Sequence, residues 1–451
     1  VARTDRQVAD AAAIAERLLV VLRRRHGCPG IAYGLRHDGT TVLFGADGVA
    51  DLATGAPVDV ATTRFRCASI TKTFTATLVL QLVERGQLRL DDAVTTWLPW
   101  TRRTLGADVT VRHLLLHAGG VIRDGSNAWD DTTMPDREAL HRELGAAATF
   151  GAPSERFRYS NMAYALLGEV LEAATKTPFA ALLRRRIARP LDLAQTDADL
   201  TAVSRRALAT GYYAAWPDEP RRAAAHVEAR AIAPAGGLVS TVGDLLAYEQ
   251  AHLPGDDRLL SELSKREMQR PQWQRATEPH YGLGWMTWHV GGISVVGHSG
   301  GYPGFTTKIA FSPRDRLCAA VLTNAISPVA ALGVDAIYGS IDAVGSRWEE
   351  ASAPSPWHTR AELASYGGIY RDNFGTLVVG RVHNALLVVP AEDVQPFAGA
   401  SLLTATGPRR FLVASGYDFG FVGEQVRFRT DRRGAVTTLV WGPHPYVRIG
   451  P

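Results

Sequence analysis

Ser69-Ile70-Thr71-Lys72 sets a hydroxyl and an amine three residues apart, a spacing that lays both on one face of a helix. A serine so placed becomes a nucleophile when a neighbour can take its proton. Lysine can be that neighbour and arginine cannot, because a guanidinium keeps its proton at every working pH. The chain uses lysine sparingly: of 49 basic residues only four are Lys. A chain of this composition holds about 0.2 Ser-x-x-Lys pairs by chance, so the pair alone is a weak signal. An N-capping Ser beside a solvated Lys fits the same four residues. If a helix runs from Thr71 to Glu84, its N-terminus favours developing negative charge at Ser69. Its apolar flank would lower the Lys72 pKa toward that of a working base.

Tyr159-Ser160-Asn161 precedes an apolar helical run, Met162–Thr175. Residues two apart in an extended segment point the same way, so a phenol and an amide share one side. Tyr159 can relay a proton and Asn161 can orient a substrate carbonyl. Ser160 or Asn161 acting as a helix N-cap is the plainer reading. His298-Ser299-Gly300-Gly301 follows the strand-like run Ser294–Val296. Glycine there lets a substrate backbone come close and leaves an N–H facing a cleft, as an oxyanion donor requires. For His298 alone, a hydrogen-bonded structural role is the plainer reading.

The elements that must position these residues follow from periodicity. Val8, Ala11, Ala12, Ile14, Ala15, Leu18, Leu19 and Leu22 predict an amphipathic helix closing near Gly27. Ile31–Arg36, the turn Asp38-Gly39 and Thr41–Phe44 predict a hairpin. Helices are predicted over Thr71–Glu84, Val111–Leu116 and Met162–Thr175, and strands over Ser294–Val296, Thr307–Phe311 and Leu317–Leu322 return to the sheet. The expected fold class is α+β, with helices around an antiparallel sheet over residues 1–345. The small-residue and Pro segment Ala351–Pro356 marks a linker, 346–356. Beyond it, β-like runs at Gly375–Val379, Ala385–Val389, Phe411–Val413, Phe419–Val422, Val426–Arg429 and Thr437–Trp441 predict a small all-β barrel over 357–451.

Composition excludes other classes. With 46% hydrophobic and 21% charged residues, and 43 Gly and 24 Pro without period, the chain is neither collagen, coiled coil nor wholly disordered. The apolar run Leu18–Leu22 meets Arg23–Arg25 long before the roughly 20 residues a membrane span needs, so no membrane partner is expected. A net charge of +4 does not make a nucleic-acid binder, and the arginine triplets at 23–25 and 184–186 suit the last turns of helices. Cys28, Cys67 and Cys318 are odd in number and far apart, which predicts reduced buried thiols. No cluster has metal-ligand spacing, so neither a metal nor another cofactor is expected. Val1 fits a literal reading of a GTG start codon and no export signal is visible, so a cytoplasmic monomer is the expectation.

Taken together, the motifs at 69, 159 and 298 resemble those of the serine β-lactamase and penicillin-binding-protein superfamily. The resemblance continues through Arg66-Cys-Ala-Ser69-Ile-Thr-Lys72-Thr-Phe, Val111-Arg-His-Leu-Leu-Leu-His117, Pro234-Ala-Gly-Gly-Leu-Val-Ser240-Thr and Tyr281-Gly-Leu-Gly-Trp285. His298 stands where the classical β-lactamases have a Lys, which is similar to the DD-peptidase, D-aminopeptidase and esterase branch. Leu363-Ala-Ser-Tyr366-Gly-Gly-Ile-Tyr370 resembles the opening of the lipocalin-like barrel appended to several members.

In its two-domain length the chain looks most like the stand-alone penicillin-binding-protein-type thioesterases that release and cyclise nonribosomal peptides. That group places an arginine near the end of the chain beside the active site, and Arg448 matches it. The resemblance implies that Ser69 attacks a peptidyl thioester delivered on a carrier protein's pantetheine arm, with Lys72 as base and Tyr159 relaying the proton to the thiol. Backbone N–H groups of Ser69 and Gly301 would hold the oxyanion, while Asn161 and His298 position the acyl chain and Arg448 holds the folded-back peptide. The peptide's own amine would then release it head to tail, with a D-residue at the acylating end. A hydrolase of the same superfamily, whether D-aminopeptidase, DD-carboxypeptidase, esterase or β-lactamase, would use the same residues with water as the nucleophile. A non-catalytic penicillin-binding sensor is disfavoured because every reactive group is present.

Overall fold

The computed structural model describes residues 3–125, 134–146, 151–216, 219–274, 277–373, 375–393, 395–416 and 421–451. The first helix, Asp5–Arg25, begins at a reciprocal cap: the Thr4 hydroxyl accepts the Gln7 N–H and the Gln7 side chain reaches back to Thr4. It packs beside a second long helix, Val329–Arg347, and the pair covers one face of a seven-stranded antiparallel sheet. Across that sheet the strands run Thr40–Gly48, Gly30–His37, Leu317–Thr323, Phe305–Ser312, Ile293–Tyr302, Met286–Val290 and His280–Tyr281.

Successive residues of the strand Leu317–Thr323 enter different cores. Leu317, Ala319 and Val321 meet the two long helices, whereas Cys318, Ala320 and Leu322 face a larger helical layer on the other side. Cover on both faces is why this strand reads as an unbroken apolar run. The larger layer is built around helix Thr71–Glu84, buried from Thr71 to Leu82, with Asn161–Thr175 and Val242–Gln250 beside it. All three cysteines are buried and free.

Helix Val329–Arg347 is an element that periodicity did not reveal. Gly333, Gly339 and Gly345 lower its propensity by up to about 1 kcal/mol each. Packing requires the first of them, since a Cβ on Gly333 would stand 2.7 Å from Leu19 Cδ2.

Beyond Ala351–Pro356 eight antiparallel strands close a barrel, from Gly368–Arg371 round to His444–Gly450, which pair with each other. Gly368–Arg371, Ser401–Gly407 and His444–Gly450 add to the predicted strands. Of the predicted run Phe419–Val422, residues 419–420 lie outside the described residues, and Phe421 and Val422 are exposed ahead of strand Gln425–Thr430. Alternation along Thr376–Val382 sends Leu377 and Val379 inside the barrel, while Val378 and Val382 join the core of the two long helices. Ile14 of the first helix seats where strand residue Gly380 has no side chain. Asp10 of that helix, its carboxylate 1% exposed, accepts from Arg381, from Arg360 at 3.3 Å and from the His383 N–H at 3.0 Å. Among the described residues no helix is long and apolar enough to cross a membrane.

Candidate active site

The turn that carries Ser69 is held from three sides. The short strand Phe65–Arg66 pairs with Val239–Ser240, and the Cys67 N–H donates to the Leu238 carbonyl at 2.8 Å. Thr307 donates to the Cys67 carbonyl at 3.1 Å, and Thr71 donates to that of Ala68 at 2.6 Å. Behind the turn, a Cβ on Gly300 would overlap the Cys67 carbonyl oxygen and stand 2.5 Å from Thr307 Oγ1. The turn thus lies flat on the strand Ile293–Tyr302. Ala68 is left-handed, at φ +51°, a conformation that non-glycine residues avoid. Ser69 follows it in a single 3-10 turn, half-exposed among buried neighbours.

Lys72 is fully buried on the first turn of the next helix. Its Nζ lies 3.0 Å from Ser69 Oγ, 2.6 Å from Asn161 Oδ1 and 2.7 Å from the Ala235 carbonyl. Burial pushes its pKa well below the ordinary lysine value, with Arg123 adding to the effect and Asp124 opposing it. A neutral amine has two N–H bonds and one lone pair. The two carbonyl oxygens can only accept, so in the neutral state they take both hydrogens and the lone pair is left to face the Ser69 hydroxyl. In that state the amine can accept the serine proton. The Asn161 amide is oriented by its other end, where Nδ2 donates to Asp124 Oδ1 at 2.6 Å.

Ser160 caps helix Asn161–Thr175, accepting the Ala163 N–H at 2.9 Å, so the capping and active-site readings of 159–161 hold together. Tyr159 lies against the same cluster, its ring centroid 4.8 Å from Lys72 Nζ, with Ser69 favouring its ionised form against the larger effect of burial. Burial raises its pKa, so the phenol keeps its proton. His298 is buried 6.3 Å from the Tyr159 ring. Its pKa is driven down to about 3, first by burial and then by Lys72. Gly301 is exposed beside open space, in register with Thr306.

Residues 10–339 match the beta-lactamase family profile. The chain belongs to that family. Penicillin-binding protein 4 of Amycolatopsis lactamdurans is 28% identical over 374 residues, covering 78% of this chain and 96% of that protein. Esterase EstB of Burkholderia gladioli is 34% identical over 232 residues, 47% of this chain and 58% of its own. A crystal structure of SurE with D-Leu is similar at a TM-score of 0.56 and 26% identity, covering 98% of this chain and 100% of SurE. Serine enzymes of the beta-lactamase family act through an acyl-enzyme.

Within this family site the structure brings together Ser69, Lys72, Tyr159 and Asn161, with His298 alongside. Arg448 makes its contacts elsewhere. Its guanidinium donates to the carbonyls of Gly367, Ser365, Val436 and Gly450, which tie the barrel seam where strand His444–Gly450 meets Gly368–Arg371. Sequence reasoning missed Asp124 and the Ala235 carbonyl. Asp124 acts by where its loop lies, and no motif spacing marks it; a carbonyl leaves no trace in residue type.

Proposed function

We propose that this protein is a serine acyltransferase that takes a peptidyl thioester onto Ser69 and releases it by head-to-tail macrocyclisation. The observation that carries acyl transfer is the buried Lys72 amine, its Nζ 3.0 Å from the hydroxyl of a partly exposed Ser69. Lys72 takes the serine proton as Oγ attacks the carbonyl, and the N–H groups of Ser69 and Gly301 receive the oxyanion. Tyr159, kept protonated, hands a proton to the departing thiol. In the second half the peptide's amine attacks the ester, its proton returning through Tyr159 and Lys72.

The choice of a peptide ending in a D-residue is supported by similarity to SurE, seen with D-Leu, over nearly the whole chain and therefore through the barrel. Delivery on a carrier protein's pantetheine arm is part of the same reading. Hydrolysis is the second reading, favoured by the names of the esterase and penicillin-binding relatives. Mass spectrometry of the products from a synthetic peptidyl thioester with a D-residue at the acyl end separates the two. A product lighter than the linear acid by one water supports cyclisation. Linear acid alone overturns it.

A further inference from the structure

Beneath Tyr159 lies a row of hydrogen bonds whose direction is dictated by its two ends. At one end the Ser160 N–H donates to His117 Nδ1 at 3.0 Å. A ring nitrogen that accepts carries no proton, so a neutral His117 holds its hydrogen on Nε2, which faces the Tyr281 hydroxyl at 3.0 Å. At the other end His298 Nδ1 lies 2.6 Å from the Ser299 carbonyl, which can only accept, so Nδ1 holds the proton and Nε2 is bare. Tyr281, 3.2 Å from that Nε2, therefore accepts from His117 and donates to His298.

We propose that His117 and Tyr281 are positioning residues: they hold His298 in its neutral Nδ1–H tautomer and keep Tyr159 in register with Ser69. His298 then serves the reaction as a fixed, uncharged wall and neither gives nor takes a proton. This rests on the acyl-transfer site and not on macrocyclisation.

A second observation points the same way. His117 has a left-handed backbone, φ +56°, of the kind that persists only where surrounding structure enforces it. That conformation sets its ring 4.3 Å from the Tyr159 ring, while its carbonyl accepts the Arg158 N–H at 2.8 Å. Ring and backbone of one residue thus grip segment 158–160 at both ends. The groups facing His298 are Tyr281, Tyr159 and Lys72, with His117 reached through Tyr281. Tyr164 stands beside His117, ring centroids 5.0 Å apart, and donates its own hydroxyl to the Leu115 carbonyl.

The test reads tautomers directly by long-range proton–nitrogen NMR of the imidazoles, assigned with His117→Gln and His298→Gln. In the parent protein His117 should show Nε2–H and His298 Nδ1–H, with neither titrating between about pH 5 and 8. Tyr281→Phe keeps the ring and removes the hydroxyl. His298 should then lose its fixed tautomer, and kcat for a small activated ester should fall 10-fold or more with KM little changed. Tyr248→Phe, which deletes a buried hydroxyl bonded to Thr77 away from the site, should leave tautomers and kcat as they were. An imidazolium or the opposite tautomer at either histidine in the parent overturns the proposal. So does a Tyr281→Phe protein with parental tautomers or parental kcat. Should that variant fail to fold, the parent spectrum alone decides.

Discussion

Lys72 has three polar neighbours and, when neutral, two hydrogens to give them, so its lone pair and its function are set by arithmetic at a single atom. Lys72→Arg keeps a cation and removes the base, and acylation by an activated ester should fall by about 10²–10⁴-fold. Rapid-quench measurement of the acyl-enzyme checks this; near-parental acylation would leave Lys72 a purely electrostatic role. The same atom fixes the pH profile. Activity needs the neutral amine, so it should rise as pH climbs through the Lys72 pKa. Asp124 favours the charged form and Arg123 disfavours it. Asp124→Asn should therefore move the acid limb to lower pH and Arg123→Gln should move it to higher pH. Limbs that shift together, or not at all, would show that another group controls the limb.

The turn Cys67–Ile70 and the strand Ile293–Tyr302 meet at Gly300, and they fit because that residue lacks a side chain. Gly300→Ala should cost about 1–3 kcal/mol of stability by overpacking, measured by urea unfolding. It should also lower acylation more than any equally destabilising change in the outer helices, because the clash falls on the turn that aims Ser69. Much of this arrangement was legible in the residues themselves. Ser69, Lys72, Tyr159 and Asn161 were weak signals one by one and became legible through the order of their motifs and the family resemblance it carries, and five strands of the large sheet through their runs, while Met286–Val290 and His280–Tyr281 were not predicted. Helix Val329–Arg347 was hidden because its glycines speak for a turn locally and for close packing only once Leu19 is in place. Strand His444–Gly450 was hidden because its outward residues, Val447 and Ile449, are apolar and exposed, which blurs the alternation. Arg448 shows the limit of position along a chain: near the end of the sequence, it binds the carbonyls of its own barrel.

At the scale of the molecule, the barrel and the sheet share one core through the first helix, with Asp10 as its polar clamp. Asp10→Ala strands Arg381 and Arg360 without their carboxylate and should cost about 3 kcal/mol, the lower end for breaking a buried pair because both arginines reach solvent. Thermal melting checks this, and an unchanged midpoint would mean that apolar packing alone joins barrel to helix. The same contact carries a consequence in time. Ile14 and Asp10 are made well before their partners Gly380 and Arg381, which come more than 360 residues later. At the usual pace of synthesis that gap lasts roughly 20–70 s. During it the first helix has half its seat: the sheet and the long helix can close on one side, but the side meant for the barrel stays bare to water and to chaperones. Strand Thr376–Val382, made long after the helix it covers, thus completes the burial of the first helix.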